Sequence, residues 1–163
     1  DTNGLWFFNS CKQAGASQPH RHFQLLRRND KQNVCPRYRY FENRISGIKI
    51  EDDILHENAF VIKRNRKDFK TSYVELIDLY YKLCTKGKLG NPYKDEKPLL
   101  PYNLLITNDW ISLITRKIDF ACGFNINALG FAGYFLAKSK TKSKWLKENG
   151  SSELLKEVIY KIN

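Results

Sequence analysis

The chain has 163 residues, of which 42% are hydrophobic and 13% aromatic, and its formal net charge is +11. This composition excludes a disordered chain and favours one domain, or two small lobes that share a core. No segment approaches the roughly 20 apolar residues of a membrane-spanning helix, and the first residues lack the basic and apolar regions of a signal peptide. The charge leaves nucleic acid, an anionic membrane surface or a phosphorylated small molecule as partners.

The cysteines are widely spaced and form no C-x-x-C pair. They are Cys11, Cys35, Cys84 and Cys122. Such spacing is weak evidence both for zinc and for a disulfide framework. We therefore expect reduced thiols in a cytoplasmic protein, with no metal held by the protein itself.

The first two predicted strands flank a loop of small residues. An apolar run over residues 5–9 predicts a short buried strand, and residues 19–26 predict a second. The loop between them contains Ala14-Gly15-Ala16-Ser17. We expect its backbone N–H groups to be free, because such loops can bind anions.

The middle of the chain predicts two more strands and one long helix. Residues 37–41 alternate like a half-buried strand, and residues 60–63 are a better strand candidate. Residues 69–85 predict a helix, with Asp68 as its N-cap and Gly87 as its stop. The apolar positions that recur at helical spacing there are Val74, Ile77, Tyr81 and Cys84.

A linker divides the chain into two parts. Residues 86–101 carry two glycines, three prolines and many charges, a composition typical of a connecting segment. We place the boundary between residues 97 and 98. After it, residues 102–107 and 110–115 with a polar two-residue turn predict a β-hairpin.

The C-terminal third combines small residues with many lysines. Residues 127–133 are expected to lead into a helical run that ends near Ser139, and residues 152–162 predict a last amphipathic helix. The run from Lys138 to Lys147 is strongly basic, and we interpret it as a solvated face. It also leaves open a non-catalytic module that binds nucleic acid, which steep salt dependence of binding would reveal.

Two histidines and a glutamine follow the small-residue loop as His20-x-His22-x-Gln24. In an extended strand these three side chains would share one face. Metal binding would need further ligands such as His56 or Cys35, and acid–base catalysis is a second option. The third is nucleophilic attack, in which an imidazole takes a phosphoryl or nucleotidyl group. This option explains the surroundings best, because loop donors can stabilise phosphate oxygens.

These motifs resemble those of a known family. Asn-Ser at positions 9–10 and GASQPHRHFQ at 15–24 are similar to the signature of ATP adenylyltransferases, also called diadenosine tetraphosphate phosphorylases, in the histidine-triad superfamily. YNLLIT at 102–107, Trp110, Arg116 and NALGFAG at 127–133 resemble the C-terminal motifs of the same family, in the same order.

The resemblance implies an α+β fold with a histidine-triad-like antiparallel sheet and flanking helices. It implies a histidine-triad catalytic core over residues 1–97 and a C-terminal ATP adenylyltransferase region over 98–163. The implied reaction is phosphorolysis of diadenosine tetraphosphate to ATP and ADP, with the reverse adenylyl transfer, through an adenylyl-histidine on His22. His20 would orient the nucleophile, and Gln24 stands where most histidine-triad hydrolases have a third histidine. The residues implied to contact the phosphates are Asn9, Ser10, Gly15, Ala16, Ser17 and Gln18.

The resemblance also implies the ligands and the alternatives. The expected partners are diadenosine tetraphosphate, ATP, ADP and phosphate, with Mg²⁺ carried by the nucleotide, and neither nucleic acid nor a membrane. Cys11 stands where the family usually has glycine. The family also has a longer N-terminal region, so we expect a missing or separately folded N-terminal portion to complete the base pocket. The alternative enzyme is a histidine-triad hydrolase that cleaves dinucleoside polyphosphates with water.

Overall fold

The computed structural model describes residues 3–29, 31–51, 53–55, 57–65 and 69–160, with side chains from residue 72 onward in the last range. A 3₁₀ turn, Lys12–Ala14, follows the first strand. The strands are β1 Gly4–Asn9, β2 Gln24–Arg27, β3 Ala59–Lys63, β4 Tyr102–Ile106, β5 Trp110–Thr115, β6 Phe120–Ala121 and β7 Phe124–Asn125. The helices are α1 Tyr38–Ile45, α2 Phe69–Lys86, α3 Ala128–Phe131 and α4 Lys140–Val158.

Five of the strands form one antiparallel sheet in the order β2-β1-β4-β5-β3. The predicted α+β class is confirmed, and so is the hairpin, since every residue of β4 pairs with a residue of β5. Strands from both sides of the predicted boundary at residue 97 lie side by side in this sheet. The two predicted regions thus share one sheet, and the division into residues 1–97 and 98–163 stays a prediction.

Helices cover both faces of the sheet. Side chains of a strand alternate between faces, so Leu105 and Ile114 pack into the cluster that α1, α3 and α4 complete. Leu104 and Leu113 point the other way and pack against α2. The sheet thus lies between α2 on one face and α1, α3 and α4 on the other. No helix in the described ranges is long and apolar enough to cross a bilayer.

The predicted helix over residues 69–85 is confirmed as α2, but its predicted buried stripe is partly wrong. Val74 is 56% exposed and Tyr81 39% exposed, whereas Leu79 and Leu83 are buried. Helical spacing alone is compatible with several neighbouring stripes of apolar residues. The contact of α2 with the sheet decides which of these stripes is buried. Asp68, the predicted N-cap, lies outside the described residues.

The strand predicted over residues 37–41 is wrong, because this segment enters α1. The Phe41 ring is buried and stacks on Trp110 with the ring centroids 4.1 Å apart. Arg44 in the last turn forms an ion pair with Asp53, with an N–O distance of 2.7 Å. Alternation over five residues is too short to exclude a helix, and packing against β5 selects it.

The strand predicted over residues 19–26 begins only at Gln24. Its pairing with β1 starts where Gln24 lies opposite Phe7. Phe23, the residue before this point, is not paired with β1. Its ring stacks on the Phe8 ring, with the centroids 5.0 Å apart. Pro19 has no N–H to donate to a ladder. The histidines therefore lie on a loop that leads into an edge strand.

The helical run predicted to reach Ser139 is limited to the four residues of α3. Gly133 follows at φ 101°, and a Cβ there would lie 2.9 Å from the Cβ of Pro36. Only glycine fits this backbone, so the chain turns instead of continuing the helix. Ser139 is the N-cap of α4, and its hydroxyl accepts a first-turn N–H at 3.2 Å.

The final amphipathic helix predicted over residues 152–162 is confirmed as far as Val158. Gly150, at φ 76°, breaks α4 into a basic first segment and an amphipathic second one. The second segment buries Leu154 and Leu155, as predicted. After it, Ile159 forms a bridge with the residue that follows β5.

Candidate functional site

The loop that follows β1, residues 10–18, closes on itself. Gly15 takes φ 86°, and its N–H donates to the Lys12 carbonyl at 2.8 Å. The Ala16 N–H donates to the Cys11 carbonyl at 3.0 Å. The expectation that these two N–H groups are free for an anion is therefore wrong, because the turn itself uses them.

The side chains of Ser17 and Gln18 are available in this loop. Both residues are exposed. Neither side chain makes a hydrogen bond to the part of the chain that the structure describes. A hydroxyl and a primary amide can each donate to a phosphate oxygen.

The end of β1 anchors the loop to the rest of the fold. The Oδ1 atom of Asn9 accepts hydrogen bonds from Asn103 Nδ2 at 2.7 Å and from the Ala128 N–H at 2.9 Å. Ser10 Oγ accepts the Tyr102 N–H at 2.9 Å. The side-chain oxygen of Asn9 thus joins β1, β4 and α3, a structural role that the sequence did not suggest.

Arg116, directly after β5, joins the loop to the C-terminal half. Its side chain is fully buried, and the Phe131 ring centroid lies 5.0 Å from its guanidinium carbon. Within the described ranges its hydrogen bonds go to neutral oxygens: Ala14 O, Asn103 Oδ1, Ile118 O, Ile126 O and Val158 O. Burial lowers the pKa of the Arg116 guanidinium to about 10. The group is still charged at neutral pH.

The two histidines contact each other. The Nδ1 atom of His22 lies 3.1 Å from the backbone oxygen of His20, and the ring centroids are 5.0 Å apart. A carbonyl oxygen only accepts, so Nδ1 carries the hydrogen and Nε2 of the neutral ring keeps its lone pair. This geometry leaves Nε2 as the ring nitrogen of His22 with a free lone pair.

Two cavities flank the histidines. The first, which we call the loop cavity, has a volume of about 630 Å³, and among its lining residues are Ser10, Ser17, Gln18 and His20. The second, the α2 cavity, has a volume of about 530 Å³ and lies between the sheet and α2. The exposed side chain of Arg21 lines both cavities.

The predicted alternation of faces in this segment is wrong. His22 and Phe23 line the same α2 cavity, and Arg21 shares the loop cavity with His20. Gln24 is exposed, begins β2 and lines neither of the two cavities. The structure thus places His20 at the loop cavity and His22 at the α2 cavity, while the role of Gln24 stays a prediction.

The protein family is decided by two family models that match separate parts of the chain. Residues 58–161 match the ATP adenylyltransferase C-terminal domain, and residues 1–36 match the Ap4A phosphorylase N-terminal domain. The chain belongs to the ATP adenylyltransferase family. The resemblance that the histidine and C-terminal motifs indicate is confirmed.

Two curated relatives from Saccharomyces cerevisiae match most of this chain. Diadenosine 5',5'''-P1,P4-tetraphosphate phosphorylase 2 is 27% identical over 89% of the chain and 48% of its own length. Protein APA1 is 25% identical over 85% of the chain and 46% of its own length. The chain spans about half the length of the curated relatives it matches.

Solved structures with the same fold include complexes. Yeast Ap4A phosphorylase Apa2 in complex with AMP superposes with a TM-score of 0.69 at 22% identity, over 93% of this chain and 55% of that one. Apa2 in complex with Ap4A superposes with a TM-score of 0.67 at 20% identity, over 96% of this chain and 54% of that one. At this identity the likeness shows the fold.

The further ligands that the metal option would need are not assembled in the described ranges. There, no group of three histidine, cysteine or acidic residues could hold a metal ion. Cys35 is buried, and burial raises the pKa of its thiol to about 11, so it is protonated at neutral pH. His56 lies outside the described residues. All four cysteines are free in the structure.

The sequence patterns do not indicate which buried polar residues hold the loop of residues 10–18 in place. In the sequence, Asn103 and Arg116 stand out only as parts of family-like motifs, yet in the fold both donate hydrogen bonds to the Ala14 carbonyl of the loop. A single polar residue inside an apolar strand, such as Asn103 in β4, is a signal that could have indicated this role.

We expect Gly15→Ala to lower the free energy of unfolding by about 2–3 kcal/mol, because alanine is strained in this backbone region. A Cβ at Gly15 would also lie 2.6 Å from the Ile126 carbonyl. Urea denaturation measures the change. Gly47→Ala is the matched control, since Gly47 has φ 69° with nothing within 4 Å of its Cβ position. Equal losses of unfolding free energy in the two variants would show that the close approach of the Gly15 Cβ position to the Ile126 carbonyl has no effect.

Proposed function

We propose that this chain transfers an adenylyl group through His22 in the phosphorolysis of diadenosine tetraphosphate to ATP and ADP, and in the reverse reaction. The observation that supports this most is the 3.1 Å contact of His22 Nδ1 with the His20 carbonyl, which leaves Nε2 as the free nitrogen. Family membership and the name of the yeast relative support the reaction class.

The reaction proceeds in two displacements at the same phosphorus. In the first, Nε2 of His22 attacks the α-phosphorus in line, the N–P bond forms, and the P–O bond to the departing ATP breaks. The imidazole gains positive charge, which the His20 carbonyl stabilises through the Nδ1 hydrogen. In the second, an oxygen of inorganic phosphate attacks the adenylyl-histidine, ADP forms, and Nε2 recovers its electron pair.

Side chains around the loop cavity bind the phosphates. Ser17 and Gln18 donate hydrogen bonds, and Lys12 and Arg21, which line the same cavity, offset the negative charge. Asp119 also lines it, and its carboxylate offers an oxygen ligand to the Mg²⁺ that enters as part of the nucleotide substrate. The net charge of +11 favours the encounter with so anionic a ligand. A cytoplasmic location is part of the proposal.

The proposal is tested by the dependence of the reaction on phosphate. With diadenosine tetraphosphate and phosphate, we expect equimolar ATP and ADP by chromatography, and no turnover without phosphate. ATP labelled with ³²P at the α-position should give an acid-labile label on the protein. Turnover to ATP and AMP without phosphate would favour the hydrolase instead. Salt-sensitive binding of RNA or DNA with no label would favour the nucleic-acid module.

A further inference from the structure

Arg116 carries a buried charge that the surrounding fold does not neutralise. Its side chain is fully buried, and burial lowers the pKa of its guanidinium more than the nearby charge of Asp119 raises it. Among the described residues, no carboxylate forms an ion pair with it. Burying a cation without a counter-ion is costly. A fold that keeps such a cation maintains a positive potential around it.

Amides occupy two positions from which a carboxylate would neutralise this charge. Asn103, which is also fully buried, accepts a hydrogen bond from Arg116 Nη1 through its Oδ1 atom. Asn103 Nδ2 in turn donates to Asn9 Oδ1 at 2.7 Å. An aspartate at either position would place a counter-ion within two hydrogen bonds of the guanidinium. The chain has asparagine at both positions, so their side chains bind the guanidinium without cancelling its charge.

The charge of Arg116 lies behind the loop of residues 10–18. Arg116 Nη1 donates to the Ala14 carbonyl at 3.3 Å, and Asn103 Nδ2 donates to the same oxygen at 2.8 Å. Ala14 is buried, whereas Ser17 and Asn9 line the loop cavity. The backbone of the loop therefore lies between the guanidinium and the cavity. Buried protein screens a charge far less than water does, so the potential of Arg116 reaches the cavity.

The other cations of the loop cavity differ from Arg116 in their exposure. Lys12 and Arg21 line the cavity and are exposed, so water and salt screen their charges. The Arg116 guanidinium is held by hydrogen bonds to five oxygens, and its position is fixed before a ligand arrives. Fixed charges of this kind stabilise anions without having to reorganise.

From these observations we propose that Arg116 is a positioning residue whose uncompensated charge holds the phosphate chain of the nucleotide at the loop of residues 10–18, without touching the ligand. The phosphates provide the counter-ion that Arg116 does not have among the described residues. The inference rests on the proposed function, since it takes the loop cavity as the place where the phosphates bind. It predicts that a residue without access to the ligand makes affinity depend on ligand charge.

Ligands with one nucleoside and different charges test the proposal. Calorimetry in the His22→Asn background, which lacks the proposed nucleophile, compares AMP with ATP in the absence of Mg²⁺. We expect Arg116→Met to weaken ATP at least about tenfold more than AMP, because each further ligand charge loses its attraction to a buried cation. Arg116→Lys keeps the positive charge and should restore most of this difference. Equal weakening of AMP and ATP by Arg116→Met, or no recovery in Arg116→Lys, would overturn the proposal.

Asn9→Asp gives a second test that does not depend on the folding of Arg116→Met. A carboxylate can accept both hydrogen bonds that Asn9 Oδ1 accepts, and it supplies Arg116 with a counter-ion inside the fold. The matched control is Ser17→Asp, which adds the same charge at an exposed position of the loop cavity. Both variants should weaken ATP, but Asn9→Asp should have the higher Tm.

A Tm of Asn9→Asp at or below that of Ser17→Asp would show that Arg116 has no uncompensated charge, and would overturn the proposal. Labelling of the wild-type protein by α-³²P ATP reports separately on the proposed function. A protein that gives no label but binds ATP and AMP as expected in these variants would contradict the proposed function alone, so the two failures are distinguishable.

Discussion

His22→Asn is expected to lower kcat for phosphorolysis on the order of 10⁴-fold or more, since removal of a covalent nucleophile abolishes the route that depends on it. Asparagine has no nitrogen with a free lone pair to attack phosphorus, yet it is polar and fits a half-exposed position. ATP release from diadenosine tetraphosphate measures the rate, and intact-protein mass measures the adenylyl adduct. Both signals should disappear together.

His20→Asn is the informative control for His22→Asn. The hydrogen bond that orients His22 comes from the backbone oxygen of His20, at 3.1 Å, so changing the His20 side chain preserves the acceptor. We expect a loss of about 10²-fold or less, with the adenylyl adduct still formed. An adduct of full stoichiometry in His22→Asn would contradict the assignment of the nucleophile.

Arg116→Met is expected to lower the free energy of unfolding by about 3–5 kcal/mol, as the loss of a buried polar network does. The carbonyl oxygens of Ile118 and Ile126 lose donors at 2.7 and 2.9 Å, and methionine cannot replace them. Urea denaturation measures the change, and for a chain of this size we expect a fall in Tm on the order of 10 °C.

Two further variants define what Arg116 contributes. Arg116→Lys keeps the charge, but one ammonium cannot reach the dispersed acceptors of a planar guanidinium, so we expect most of the loss to remain. Lys117→Met changes the exposed neighbour and should stay within about 0.5 kcal/mol of wild type. An Arg116→Met variant as stable as Lys117→Met would show that the network adds nothing to stability.

Local sequence patterns are sufficient to predict those elements whose hydrophobic pattern agrees with their packing in the fold. The β4–β5 hairpin has two apolar runs joined by a polar two-residue turn, and the structure pairs them in that register. The first strand is a similar case. The histidine motif and the NALGFAG motif indicate the family without any contact information, because they match family motifs in residue type, spacing and order.

Other features depend on contacts between residues far apart in the chain. Residues 37–41 allow a strand or a helix, and the stack of Phe41 on Trp110 selects the helix. The N–H groups of Gly15 and Ala16 look free in the sequence, but the turn back to Lys12 and Cys11 uses both. No local pattern reports where a backbone N–H is directed.

Residue types and their spacing are enough to indicate the candidate nucleophile, the small-residue loop before it and the family. Only the tertiary structure decided which nitrogen of His22 is free, because that depends on the position of the His20 carbonyl. It also decided that Arg116 is buried against carbonyls from four separate segments. Residue type specifies what a group can donate or accept, whereas its partners are specified by distances that only the folded chain defines.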